Sequence, residues 1–278
     1  MIAIAAKYFS SGMEMNMKIS FSTLGCPEWS FKDIIASAKD FGYDGIELRG
    51  IEGEIYLPHV KEFTAEKIEE TKAYLAKTGM EISCLTSGAL LYKDCEKEVK
   101  DYINLASTLG VKYIRVLGDE KPQASVEAKD EAVIASLEKF VPMAEQLGVT
   151  LCLETNGIYA NSARLAKIAA HFEGKVGVIW DIHHPYRFFG EDPSFTYENL
   201  KDYICHLHIK DSVLNQGTIQ YKMLGEGDIP VKEVIHLLKE NEFSGFVSLE
   251  WVKRWNMELE EPNIVFARFI DYIKTMNK

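Results

Sequence analysis

The sequence predicts an α/β chain folded as a single-domain (β/α)8 barrel, or TIM barrel, and three observations carry that reading. Eight short apolar runs suited to buried parallel strands alternate with longer amphipathic segments of helical period. No GxGxxG or Walker-type glycine loop follows any run, as a nucleotide-binding open sheet would require. No linker, low-complexity tract or charge block divides the 278 residues, a length that barrels of this class reach as one unit.

The units follow one another in order. KISFST (18–23) precedes FKDIIASAKDFG (31–42), and GIELR (45–49) precedes AEKIEETKAYLAKTG (65–79). EISCLT (81–86) leads to KEVKDYINLASTLG (97–110), and YIRVLG (113–118) to EAVIASLEKFVPMAEQLG (131–148). TLCLET (150–155) leads to SARLAKIAAHFEG (162–174), and VGVIWD (176–181) to a short segment around ENLKDYI (198–204). HLHIKD (206–211) leads to VKEVIHLLKENEFSG (231–245), and FVSLEW (246–251) to a C-terminal stretch after Pro262. Gly42, Gly79, Gly110, Gly148, Gly174 and Gly245 end helical patterns, where a left-handed cap is expected. The first clear strand starts at Met17, so residues 1–16 read as an extension of unknown role and 17–278 as the barrel.

Composition narrows the function. With 42 acidic against 31 basic residues the net charge is −11, and an acidic surface repels both nucleic-acid phosphates and anionic membranes. No apolar run reaches membrane-spanning length. The five cysteines form no CxxC pair, and their odd number suits a reducing cytoplasm. A small-molecule partner is the expectation, and a homo-oligomer stays open.

In such barrels the site forms at the C-terminal ends of the strands. The second run ends in Glu47 and Arg49, and the fourth carries Arg115. The fifth gives Glu154 and Asn156, the sixth Asp181, His183 and His184, the seventh His206, His208 and Lys210, and the eighth Glu250. Three carboxylates gathered at one rim would repel one another and be costly to desolvate. One divalent ion held by Glu154, Asp181, His208 and Glu250 removes that conflict, and this donor set suits Mn²⁺, Mg²⁺, Co²⁺ or Zn²⁺. His206 reads as a structural histidine, and His59, His171 and His236, in a loop or on helices, carry no assigned role. Glu47, Asn156, His184 and Lys210 are the expected substrate contacts, with Lys210 placed to hold a hydroxyl or phosphate.

At these residues the chain resembles the xylose isomerase-like barrel superfamily, especially its sugar isomerase and epimerase branch. The matching pieces are LCLETN, WDIHHP, HLHIKDS, MLGEGDIP and GFVSLEW, in the family's order, and the resemblance covers the chain from about Met17 onward. It implies that Glu154 and Glu250 are the catalytic acid/base pair on opposite faces of a sugar, and that His184 touches a substrate hydroxyl. Where tagatose-type epimerases grip substrate with polar residues, this chain has Ala160 and Leu214. Endonuclease IV-type relatives use three zinc ions and further histidines, and the segments TSGAL, VLGDE and TIQYKM supply none of them. The expected activity is therefore isomerisation or epimerisation of a small sugar or polyol ketone. It proceeds by glutamate-mediated proton transfer through a metal-stabilised enediolate. An inosose-type dehydratase using the same metal is the alternative, followed by a non-catalytic sugar-binding barrel and a DNA-repair endonuclease.

Overall fold

The computed structural model describes residues 17–121 and 129–276, so the expected extension over 1–16 lies outside the described residues. Seven parallel strands come first: β1 (Lys18–Ser22), β2 (Gly45–Leu48), β3 (Glu81–Leu90), β4 (Tyr113–Leu117), β5 (Thr150–Glu154), β6 (Gly177–Asp181) and β7 (Ile204–Ile209). An antiparallel hairpin of β8 (Asp211–Asn215) and β9 (Thr218–Lys222) follows. Then β10 (Phe246–Leu249) pairs with both β7 and β1 and closes the barrel in the order β1-β10-β7-β6-β5-β4-β3-β2. Strands covered on both faces are buried along their length and largely apolar, and all four residues of β2 and all five of β6 are buried, Glu47 and Asp181 among them.

Among the described residues eight α-helices form the outer layer: α1 (Phe31–Phe41), α2 (Ile68–Thr78), α3 (Glu96–Leu109), α4 (Asp130–Gln146), α5 (Ser162–His171), α6 (Pro193–Leu200), α7 (Val231–Glu240) and α8 (Pro262–Thr275). At the start of α1, the Ser30 hydroxyl accepts from the Asp33 amide at 3.2 Å, satisfying one of the free first-turn donors. Gly42, Gly79 and Gly110 take the expected left-handed caps. Gly245 does not. It lies beyond α7, whose cap is Asn241, and a Cβ there would meet the Phe243 ring at 2.4 Å. Tight packing, rather than a turn of positive φ, requires a glycine at that position.

Closure of the barrel is reinforced from outside. The Phe266 ring of α8 stacks on Phe21 of β1 at 4.0 Å between centroids, and the Tyr43 hydroxyl donates to the Phe266 carbonyl at 2.8 Å.

Three segments differ from the sequence expectation. Helix α6 starts at Pro193 and ends at Leu200, because Pro193 sits in the first turn, where its missing N–H costs nothing. Strand β3 continues to Leu90 through a register shift against β4. The β8–β9 hairpin was not expected, although its turn residues Gln216 and Gly217 both have positive φ, at 49° and 80°, the geometry that two-residue hairpins favour. Among the described residues, no helix is long and apolar enough to cross a membrane.

Candidate metal centre

The strand registers bring the acidic residues to one level. Asp181 at the end of β6 pairs directly with His208 of β7. Glu154 ends β5, and Glu250 follows the last residue of β10, its amide donating to the Ile209 carbonyl at 2.9 Å. Thr155 laces β5 to β6: its hydroxyl accepts from the Asp181 amide at 2.8 Å, while its own amide donates to the Ile179 carbonyl at 3.0 Å. These ties fix the rim where the side chains meet.

Glu154, Asp181, His208 and Glu250 each present a donor atom within 4.8 Å of the others, and all four are buried. His208 Nδ1 lies 2.7 Å from Glu154 and 3.6 Å from Glu250. Its other ring nitrogen, Nε2, stands 3.0 Å from Glu47 but forms no well-aligned hydrogen bond. Glu47 also accepts from His206 Nε2 at 2.9 Å and from the Thr86 hydroxyl at 2.8 Å. A carboxylate behind the far nitrogen of an imidazole is the usual support for a metal-binding histidine.

Two cations already answer the cluster's charge. The Lys210 ammonium contacts both Asp181 and Glu250, and the Arg115 guanidinium donates to Glu154 at 2.8 Å. Lys210 is only 2% exposed. An ammonium buried against two carboxylates marks the place where positive charge is favoured, so the donor set fits a divalent cation, which would compete with Lys210 for those oxygens. Glu154, Asp181, His208 and Glu250 would hold it.

The electrostatics follow from burial and these neighbours. Burial alone would raise the Glu154 carboxyl, but Arg115 and His208 outweigh it and hold it well below the usual carboxylate range. Glu47 is likewise held down, against its burial, by His208 and His206. Burial disfavours the Lys210 ammonium, yet Asp181 and Glu250 keep its pKa well above the ordinary lysine value. His184 is pushed down by burial, more than its carboxylate neighbours raise it.

A cavity of about 480 Å³ opens over the cluster, within the range of small-molecule sites. Glu154 and Glu250 line it, with Asn156, His184, Arg115 and Tyr221. His184 Nδ1 lies 3.0 Å from the Thr155 carbonyl, and Asn156 donates to the Asp119 carbonyl at 3.2 Å. The other two expected substrate contacts, Glu47 and Lys210, are not among the residues that line this cavity. Glu47 is fully buried beside His206 and His208, and the Lys210 side chain is spent on Asp181 and Glu250. His206 is buried against Glu47, while His171 and His236 are exposed on helices.

The sequence reading missed Tyr221 and Trp255 as cavity residues. Tyr221 arrives on β9, and Trp255 follows β10 in a loop. The MLGEGDIP motif also gains a physical reason. The Asp211 carboxylate accepts from the amides of Ser212, Gly225, Gly227 and Ile229 at 2.8–3.2 Å. A Cβ at Gly227 would fall 2.0 Å from an Asp211 oxygen. Only glycine admits that approach.

Comparison with known proteins agrees with this architecture. A family model described as "Xylose isomerase-like TIM barrel" matches residues 35–271. Fructoselysine 3-epimerase of Shigella flexneri is 22% identical over 284 residues, covering 94% of this chain and 98% of that protein. The IolI protein, whose crystal structure holds a zinc atom, superposes with a TM-score of 0.76 at 21% identity, covering 94% and 99% of the two chains. AsbF of Bacillus anthracis, described with 3-DHS dehydration and petrobactin synthesis, gives 0.74 at 20% identity, covering 93% and 99%.

Proposed function

The chain belongs to the xylose isomerase-like TIM barrel family, and from that premise we propose that it is a divalent-metal-dependent epimerase or isomerase of a small sugar or related polyol ketone. One observation carries the reading. Of the four clustered donors, Glu154 and Glu250 also line the cavity, whereas Asp181 and His208 do not. That supports a role for both glutamates in holding an ion and in meeting a substrate. The fructoselysine 3-epimerase relative supports the same class.

When bound, the divalent ion supplies Lewis-acid polarisation of a carbonyl and offsets the negative charge that develops on enolisation. The chain's own residues do the rest. One glutamate takes the proton from the carbon beside the carbonyl, and the other returns a proton to the opposite face or to the neighbouring carbon. Arg115 and His208 keep Glu154 ionised but lower its basicity, so proximity to the substrate carries much of the rate. His184 and Asn156, both at the cavity surface, orient hydroxyl groups. Asp181, His208 and Glu47 lie beneath and hold the upper residues in register.

The test is proton exchange in D2O with Mn²⁺-loaded protein and a panel of ketohexoses and fructoselysine. The expected result is one deuterium at the carbon next to the carbonyl, without loss of water, and no exchange after chelation. Exchange accompanied by elimination of water would replace this reading with a dehydratase. No exchange with any substrate would contradict it.

A further inference from the structure

Arg49 follows β2 and lines the same cavity, yet it is not used by the chemistry above. The chain has six arginines, and four of them pair with carboxylates: Arg115, Arg164, Arg187 and Arg268. Arg49 pairs with none among the described residues. Among the described residues its guanidinium makes one hydrogen bond, a long 3.4 Å contact to the Ile55 carbonyl, and lies 5.9 Å from the Trp255 ring centroid. The nearby Glu98 carboxylate is already engaged, accepting from the Gly88 amide at 2.8 Å.

A second guanidinium stands beside it. Arg115 lines the cavity as well, is 8% exposed, and its Nε is buried with no hydrogen-bond partner. Burial, and then the charge of Arg115, push Arg49 down to about 10, which still leaves it cationic at neutral pH. Two like charges on one cavity wall repel, and Arg49 has no ion-pair partner among the described residues to offset that repulsion. Among the described residues no carboxylate forms an ion pair with Arg49, and the engaged Glu98 favours its charge only from a distance. An oxyanion entering the cavity would answer the Arg49 charge. A guanidinium near an indole and with a single long hydrogen bond has N–H groups left for a forked contact with a carboxylate or phosphate.

We propose that Arg49, backed by Arg115, forms an anion subsite of this cavity, so that the substrate is a polyol carbonyl compound bearing a carboxylate or phosphate group. The identity of the anion as part of a substrate rests on the proposed function; the subsite itself does not. Its consequence is selectivity. A neutral sugar would leave the Arg49 charge unanswered and should bind less well than its anionic analogue.

The experiment is calorimetric titration of the metal-loaded protein with sn-glycerol 3-phosphate, D-glycerate and glycerol, in wild type, Arg49→Gln and Arg49→Lys, with metal content measured on each sample. At least one anion should bind where glycerol does not, and the stronger of the two identifies the group. Its affinity should fall at least tenfold in Arg49→Gln. Arg49→Lys, which keeps the charge and loses the fork, should fall severalfold. Anions held only by the metal would bind Arg49→Gln as well as wild type, and that outcome overturns the proposal. Equal binding of all three probes to wild type also overturns it. If Arg49→Gln fails to fold, unchanged anion affinity in Arg49→Lys is the contradicting result. A protein that holds no metal but loses anion binding with Arg49→Gln would sink the proposed function and leave the anion subsite standing.

Discussion

Glu250→Gln is expected to lower turnover roughly 1,000-fold, and Glu154→Gln by a similar factor, as loss of a general acid or base does. Each change keeps the side-chain volume and removes a proton carrier that lines the cavity. The two variants should differ in kind. If the glutamates face opposite sides of the substrate, Glu154→Gln loses deuterium exchange with one C-epimer and Glu250→Gln with the other. Glu250→Gln also removes one of the two carboxylates on Lys210, while Asp181 remains to hold the ammonium. Steady-state kinetics with either epimer, read with the exchange assay, checks both statements. Turnover within threefold of wild type in either variant would remove that glutamate from proton transfer.

Glu47→Ala should be the most destabilising of the single changes at the site, by about 3 kcal/mol, because it strips a fully buried group from its partners. His206 would lose its acceptor at 2.9 Å, Thr86 its acceptor at 2.8 Å, and His208 the carboxylate 3.0 Å from Nε2. For a chain of this size that loss lowers the melting temperature by about 5 °C. Metal affinity should fall ten- to a hundredfold, since the carboxylate behind His208 orients its ring. Glu47→Gln separates the two effects. The amide keeps an acceptor for His206 and recovers most of the stability, but it lacks the charge behind His208 and should still bind metal more weakly. Thermal melts and metal titration on the two variants read the effects independently. A Glu47→Ala protein as stable as wild type would show that this buried network contributes nothing.

Much of the barrel was legible because strand and helix signals are local. The apolar runs ending at Glu154, Asp181 and Glu250, and the alternation placing His206, His208 and Lys210 on one face, are read directly from spacing. The structure brings Glu154, Asp181, His208 and Glu250 into one cluster. What spacing does not carry is partnership across the barrel. Glu47 on β2 and His206 on β7 are 159 residues apart and touch across the interior, so a rim contact and an internal counter-charge look alike in sequence. Lys210 posed the same problem. Its face was legible, but its engagement with Asp181 and Glu250 depends on where β6 and β10 end. Tyr221 and Trp255 reach the cavity from a hairpin and a loop, whose paths follow no period. The hairpin alone left a signal, in the Gln216–Gly217 turn between alternating residues. Arg49 was visible at a strand end, but its lack of a carboxylate partner is a property of the folded chain.

The most direct measurement is calorimetric titration of Mn²⁺ into chelator-stripped wild-type protein and into Asp181→Asn, a change at a donor that does not line the cavity. One site per chain in wild type, weakened at least a hundredfold in the variant, is the expected result. No binding in wild type, or equal binding in both proteins, would contradict a cation gathered by these four side chains.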